Sequence, residues 1–131
     1  MKNIEIAELL PNKENYSSGN AGAASIWAKE FNKGVIFKKQ LIFGNSSSNL
    51  FLSKNFINLN KKNLIKNSYF YLRNFIKKIP KSVKLIVIHN RPHFFLSLKK
   101  KLPQIKFILV FHNDPNTLRG SQSVNEKIKI L

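Results

Sequence analysis

Short apolar runs alternate with amphipathic segments along the chain, and this order limits the possible folds more than any other feature. Strand-like runs occupy residues 4–10, 35–43, 83–89 and 105–111, and residues 50–59 read as a short strand plus loop. Between them, apolar residues recur every three or four positions, which is the spacing of one helix face. Strands that alternate with helices pack as a parallel sheet with helices on both faces. We therefore predict an α/β fold of this kind.

Glycine, proline and capping residues delimit four predicted helices, which cover residues 23–34, 63–79, 94–102 and a last segment from residue 123. Gly34 ends the first helix, and Pro80 and Pro103 end the next two. Ser123 and Glu126 have the spacing of a capping box. The run at 105–111 lacks polar alternation, so we predict a strand that is buried on both faces and lies centrally in the sheet.

Length and composition indicate a single domain over residues 1–131, because 43% of the residues are hydrophobic and can form a core. The absence of cysteine excludes a disulfide framework and a thiolate metal site. No apolar run approaches the roughly 18 residues that span a bilayer. Glu5 and Glu8 interrupt the first apolar stretch, which argues against a secretory signal. We expect a cytoplasmic protein.

The formal net charge is +17, from 20 lysines and 3 arginines against 6 acidic residues. Such a charge attracts nucleic acids, anionic lipids and phosphorylated substrates. The lysines are scattered, however, and abundant Lys, Asn, Ile and Phe are typical of an AT-rich coding sequence. Dedicated nucleic-acid-binding proteins cluster arginines and place aromatic residues among them, so we expect no specific nucleic-acid partner.

Three polar loops leave the carboxyl ends of predicted strands, and their sequences are "SSGNAGA", "HNRPH" and "HNDPNTLRG". Parallel strands bring such loops to the same edge of the sheet, where open α/β folds bind their ligands. In the first loop, Gly19, Asn20 and Gly22 are candidate ligand contacts, because small residues let backbone N–H groups approach an anion or a sugar hydroxyl. A flexible turn with Asn20 as a helix cap explains them equally well. The loop matches neither a dinucleotide fingerprint nor a P-loop.

The second loop contributes His89, Asn90 and Arg91 as candidate binding residues. A strand-to-helix turn explains Asn90 and Pro92, since proline fits the first turn of a helix. It does not explain His89 or Arg91. The planar guanidinium of Arg91 suits a phosphate or a carboxylate.

The third loop contains the only aspartate of the chain, Asp114. An Asn-Asp-Pro turn explains Asn113 and Asp114, although Asp114 could also orient a loop amide or a ligand hydroxyl. Arg119 could close the loop around an anion. His112 ends an apolar strand, where an imidazole is costly unless it has a hydrogen-bond partner, so we single out His112 as a candidate functional residue. The spacing of His89, His112 and Asp114 carries no metal signature, and we predict no metal site.

The segments "HNRP", "LKKKLPQIKFILVFHNDP" and "GNAGAASIWAKEFNK" resemble the amino-terminal domain of glycosyltransferase family 4. The resemblance is closest to bacterial enzymes of lipopolysaccharide and capsule synthesis. It spans most of the chain and is strongest over residues 83–120. Members often place His-Asn-Arg-Pro after one strand, then a Lys-Leu-Pro segment, then a strand that ends in His-Asn-Asp.

The resemblance implies a GT-B enzyme, a hexosyltransferase-type protein with two Rossmann-like halves. The amino half binds a saccharide or lipid-linked acceptor, and the carboxyl half binds the nucleotide-sugar donor. Transfer retains anomeric configuration and needs neither metal nor cofactor, in agreement with the absence of an Asp-x-Asp motif. The histidine that looks equivalent to His112 lies by the acceptor and the reacting carbon, so the resemblance implies a catalytic role for His112. Lipid-linked acceptors also imply contact with the inner, anionic face of the plasma membrane.

This chain ends at Leu131, before any donor half or Glu-x7-Glu pattern, so we expect a truncated enzyme that does not transfer sugar alone. The alternative hypothesis is a basic α/β module that binds RNA or anionic surfaces without catalysis. A receiver-type domain needs an acceptor aspartate after a middle strand. The only aspartate here follows the last predicted strand, so we set that fold family aside.

Overall fold

A computed structural model describes residues 3–19, 21–34, 39–59 and 67–112. The elements in chain order are β1 (Ile6–Leu9), α1 (Ala23–Gly34), β2 (Gln40–Gly44), β3 (Phe56–Asn58), α2 (Ser68–Lys78), β4 (Leu85–His89), α3 (Pro92–Lys101) and β5 (Lys106–Val110). The predicted α/β fold is confirmed. The predicted helix from Ser123, and residues 63–66 of the second predicted helix, lie outside the described residues.

The five strands form one parallel sheet in the order β3-β2-β1-β4-β5, which is a Rossmann-like arrangement. Alternate residues of each strand face opposite sides of the sheet. Ala7 and Leu9 of β1 pack in a core cluster with α2 and α3. A smaller cluster on the other side contains Ala24 and Ala28 of α1. Helices therefore cover both faces, with two on one side and one on the other.

β5 lies at the edge of the sheet formed by the described residues, so the predicted central position of this strand is wrong. Phe107 and Leu109 pack against the α2–α3 core, but Ile108 on the opposite face is 48% exposed. The central strand is β1, although it contains a carboxylate. An unbroken apolar run reports hydrophobicity and does not by itself report the order of strands in a sheet.

The helix ends follow the sequence signals. Asn67 caps α2, because its side-chain oxygen accepts hydrogen bonds from Tyr69 N at 2.9 Å and Phe70 N at 3.4 Å. Pro92 occupies the first turn of α3, as predicted. Within the four described ranges, no helix combines the length and apolar character needed to cross a membrane.

Candidate functional site

A continuous chain of hydrogen bonds joins Glu8, His89 and His112 across three neighbouring strands. Glu8 Oε1 lies 2.9 Å from His89 Nε2, and His89 Nδ1 lies 2.9 Å from His112 Nε2. Glu8 and His89 are completely buried, whereas His112 is partly exposed. We call these three residues the carboxylate–histidine chain. It links the interior of the fold to the carboxyl edge of the sheet.

The register of the strands explains why these three side chains meet. Glu8 in β1 pairs with Val87 in β4, and His89 lies two residues further along the same face. His89 in turn pairs with Val110 in β5, and His112 lies two residues beyond that. Because side chains two residues apart point to the same side of a sheet, the three groups form a diagonal line on the α1 face.

Gln40 in β2 completes the hydrogen bonding of Glu8. Gln40 Nε2 donates a hydrogen bond to Glu8 Oε2, while Glu8 Oε1 faces His89 Nε2. A buried carboxylate is costly unless both oxygens find donors, and here both do. Glu8 is not among the site residues predicted from the sequence. The sequence does contain a sign of its role, because Glu8 is a carboxylate inside an apolar strand and the chain has few acidic residues.

Trp27 of α1 covers the two histidines. Its ring centroid lies 5.0 Å from that of His89 and 5.8 Å from that of His112, with both contacts edge-on. Phe31, one turn further along α1, stacks on Trp27 at 4.9 Å. Burial and, to a smaller extent, the neighbouring His89 lower the pKa of His112, whereas Glu14 opposes that shift. His112 is therefore a neutral imidazole at neutral pH.

Asn90 positions the backbone of His112. Its side-chain oxygen accepts a hydrogen bond from His112 N at 2.7 Å, and its own N–H donates to Val110 O at 2.8 Å. Asn90 has a φ of 53°, a left-handed conformation that asparagine tolerates better than most residues. The structure thus assigns Asn90 a clamping role, and its contact with a ligand stays a prediction.

The first loop also uses its small residues for internal packing. Glu14 Oε1 accepts a hydrogen bond from Ser25 N at 2.8 Å, so a carboxylate of the chain occupies the amino terminus of α1. A Cβ on Gly22 would lie 2.5 Å from Glu14 Oε1, so a larger residue at this position would displace the Glu14 carboxylate. Gly19 has a φ of 89° in an exposed turn. Ligand contacts from Gly19 and Gly22 stay predictions.

Arg91 lies beside the carboxylate–histidine chain but belongs to the other face of the sheet. Its Nη1 donates to Asn90 O at 2.8 Å. Burial lowers the pKa of the guanidinium, and Glu14 and Tyr71 act in the opposite direction. An arginine remains protonated despite such a shift, so Arg91 is a partly buried cation.

Arg91 also lines a groove of about 1210 Å³ between α2 and α3. The groove wall carries five cationic residues, which are Lys13, Arg73, Arg91, Lys100 and Lys101. Asparagine, serine and tyrosine side chains lie between them, and no carboxylate lines the groove within the described part of the chain. We call it the cationic groove. Its charge favours a ligand that carries phosphate or another anionic group.

Several predicted site residues cannot be placed, since Asn20, Asn113, Asp114 and Arg119 lie outside the described residues. Among the residues that are described, no group of three histidine or acidic side chains could hold a metal ion. In the carboxylate–histidine chain the donor atoms face one another along a line and do not converge on a common point.

The predicted meeting of two polar loops at one edge is confirmed for His89 and His112, and Asn90 joins them there. The arrangement can accept a proton or a hydrogen bond from a ligand hydroxyl at the edge of the sheet. Comparison of the chain with models of protein families, with curated proteins and with solved structures found no match.

Proposed function

We propose that this chain is the acceptor-side domain of a glycosyltransferase, similar to family 4, that acts on a cell-envelope polysaccharide or a lipid-linked acceptor. The observation that supports this best is the carboxylate–histidine chain, which presents a neutral imidazole at the carboxyl edge of a Rossmann-like sheet. Ligands of open α/β sheets bind at this edge. Two members of the carboxylate–histidine chain, His89 and His112, come from the loops that resemble the family.

In this proposal His112 interacts with the acceptor hydroxyl that attacks the donor sugar. A neutral imidazole can accept a hydrogen bond from that hydroxyl and take its proton as the new bond forms. The donor nucleotide sugar binds to a second half of the enzyme, and transfer retains anomeric configuration without a metal. The residues described here thus supply binding and proton transfer on the acceptor side.

The cationic groove supports an acceptor with an anionic group. Arg91 lies two residues after His89 and lines the groove, so the groove begins close to the carboxylate–histidine chain. A diphosphate that links a saccharide to a lipid has the charge that this groove complements. Lys100 and Lys101 add charge at the carboxyl end of α3. We place the protein in the cytoplasm, at the inner surface of the plasma membrane.

A binding experiment tests the proposal with the chain as it is. Histidine and tryptophan side-chain NMR signals are recorded while bacterial-envelope saccharides, with and without a prenyl diphosphate, are added. We expect shifts of the His112 and Trp27 signals, loss of this binding in His112→Ala, and retention in Glu5→Gln, because Glu5 lies away from both the groove and the two histidines. Nucleotide sugars should not bind at micromolar concentration. Tight binding of a nucleotide sugar, or no response to any saccharide, contradicts the proposal.

The cationic groove by itself favours a second candidate function, a module that binds RNA or anionic surfaces without catalysis. Binding driven by phosphates falls steeply with salt concentration and does not depend on a buried histidine. RNA binding that is salt-sensitive and unchanged in His112→Ala would favour this candidate.

A further inference from the structure

We propose that Glu8, His89 and His112 act as one proton-accepting unit, in which His112 receives a proton from a bound hydroxyl and passes its own proton inward to His89. Glu8 then stabilises the positive charge on His89. In this scheme His112 is the catalytic residue, and Glu8 and His89 are positioning residues. Only the identity of the hydroxyl rests on the proposed function. The path proposed for the proton is argued from the hydrogen bonds alone.

With His89 neutral and Glu8 ionised, the hydrogen bonds assign one proton to each imidazole ring. Glu8 accepts a hydrogen bond from Gln40 at one oxygen, and His89 Nε2–H donates to the other. The neutral tautomer of His89 then has a lone pair on Nδ1, which faces His112 Nε2 at 2.9 Å. His112 must therefore carry its proton on Nε2. Its Nδ1 is left with a lone pair, and no described residue donates a hydrogen bond to it.

The transfer can be written with every proton accounted for. The hydroxyl O–H bond breaks and an N–H bond forms at His112 Nδ1, while the oxygen keeps the electron pair with which it attacks the electrophilic carbon. The Nε2–H bond of His112 breaks and an N–H bond forms at His89 Nδ1. The product is a neutral His112 beside a protonated His89, whose Nε2–H remains hydrogen-bonded to Glu8. The proton returns to solvent by the reverse route.

The inward step overcomes a weakness of His112 as a base. Partial burial under Trp27 disfavours a positive charge on His112 itself. The ring centre of His89 lies 5.2 Å further in, where Glu8 is in direct contact. Besides His89, the titratable group that acts on His112 is Glu14, next to the amino terminus of α1. The strongest stabilisation of a proton on the pair thus comes from Glu8, which His112 does not touch.

The same contacts could instead form a purely structural polar cluster. The two cases differ in whether removing the charge of Glu8 changes the proton affinity of the histidine pair. Trp27 provides the measurement, because it is the only tryptophan and lies against both rings. A protonated imidazole in contact with an indole quenches its fluorescence, so the fluorescence of Trp27 reports the charge of the pair.

The test is a pH titration of Trp27 fluorescence in the wild type, Glu8→Gln, His112→Gln and Glu5→Gln. Glu5 is the matched control, since it is a partly exposed carboxylate near the same strand, in ion pairs with Lys39 and Lys84. We expect Glu8→Gln to lower the midpoint by about one pH unit or more, a roughly tenfold loss of proton affinity. The midpoint should not move in Glu5→Gln. In His112→Gln, the part of the fluorescence change that comes from protonation of His112 should disappear. A folded Glu8→Gln protein with an unchanged midpoint overturns the proposal.

A second measurement needs no variant and applies even if Glu8→Gln fails to fold. Nitrogen-15 NMR of the wild-type imidazoles above the midpoint should show His112 protonated on Nε2 and His89 protonated on Nε2. A His112 protonated on Nδ1 overturns the proposed direction of transfer. Neither measurement involves a sugar, so they can fail while saccharide binding succeeds, or succeed while saccharide binding fails.

Discussion

The two faces of the sheet differ in what the same strands bury. On the face covered by α2 and α3, the core consists of hydrophobic residues that include Phe75, Ile86 and Phe94. On the face covered by α1, Glu8, Gln40 and His89 are buried instead, beside a small apolar cluster. The residues alternate along each strand, so one face supplies most of the apolar core and the other holds the buried polar side chains. Substitutions on each face should therefore have separable effects.

The largest expected loss of stability is on the apolar face. Phe75 is completely buried, and its ring lies 5.0 Å from that of Phe43. We expect Phe75→Ala to lower the free energy of unfolding by about 4 kcal/mol, through lost burial and the cavity that remains. Urea denaturation followed by circular dichroism measures it. In the fraction that stays folded, the fluorescence midpoint of Trp27 should be unchanged, and a large shift would show that the faces are not separable.

A slightly smaller loss is expected on the polar face. Glu8→Leu leaves Gln40 Nε2 and His89 Nε2 buried without their acceptor. We expect a loss of about 3 kcal/mol in the free energy of unfolding, because unpaired buried donors are costly. Glu5→Leu is the control, and it should change stability by less than about 1 kcal/mol. An equal loss of stability in Glu8→Leu and Glu5→Leu would contradict the burial of Glu8 between its two hydrogen-bond donors.

Acid should weaken the polar face before the apolar face. The pKa of His112 is lowered in the folded protein, so between that value and about 6.5 the unfolded state binds more protons. The contribution of His112 to the free energy of unfolding is fully present above about pH 6.5. It is lost as the pH falls through the pKa of His112 in the folded protein. Melting temperatures measured in this window should decline in the wild type and less in His112→Gln. An equally steep decline in His112→Gln would contradict this assignment.

The smallest expected effect concerns the cationic groove, at the outer surface of the apolar face. We expect binding to vesicles with phosphatidylglycerol, weaker binding with added salt, and none to neutral phosphatidylcholine vesicles. Removing Lys100 and Lys101 should reduce binding by about 1 kcal/mol per lysine. Lys39→Ala with Lys84→Ala removes the same charge at the amino ends of the strands and should reduce binding less. Equal losses would mean that net charge alone drives binding.

Much of the fold could be predicted because it depends on patterns among residues that are close together in the sequence. Helix periodicity and proline positions identified α2 and α3, and the strand–helix order identified the parallel sheet. The position of β5 could not be predicted, because the partner of a strand depends on distant sequence. The burial of one face of β5 depends on which helices cover it, and a hydrophobic run such as 105–111 does not contain that information.

The site was predicted in part for the same reason. His89 and His112 each follow a strand, and that local position was enough to bring them to one edge. Glu8 was missed because its partners His89 and Gln40 are 81 and 32 residues away in the chain. The clamping role of Asn90 depends on a left-handed backbone conformation that the turn sequence permits but does not require.

The carboxylate of Glu14 at the amino terminus of α1 has a consequence for the size of a ligand. The positive end of that helix is already satisfied by the chain itself, so it does not compete for the anionic part of a ligand. The cations that attract such a part lie in the groove between α2 and α3, on the opposite side of the sheet from Trp27. A molecule that reaches both Arg91 and His112 has to pass over the rim of the sheet. If the proposed function is correct, we expect short compounds to contact either Arg91 or His112 and only longer ones to contact both.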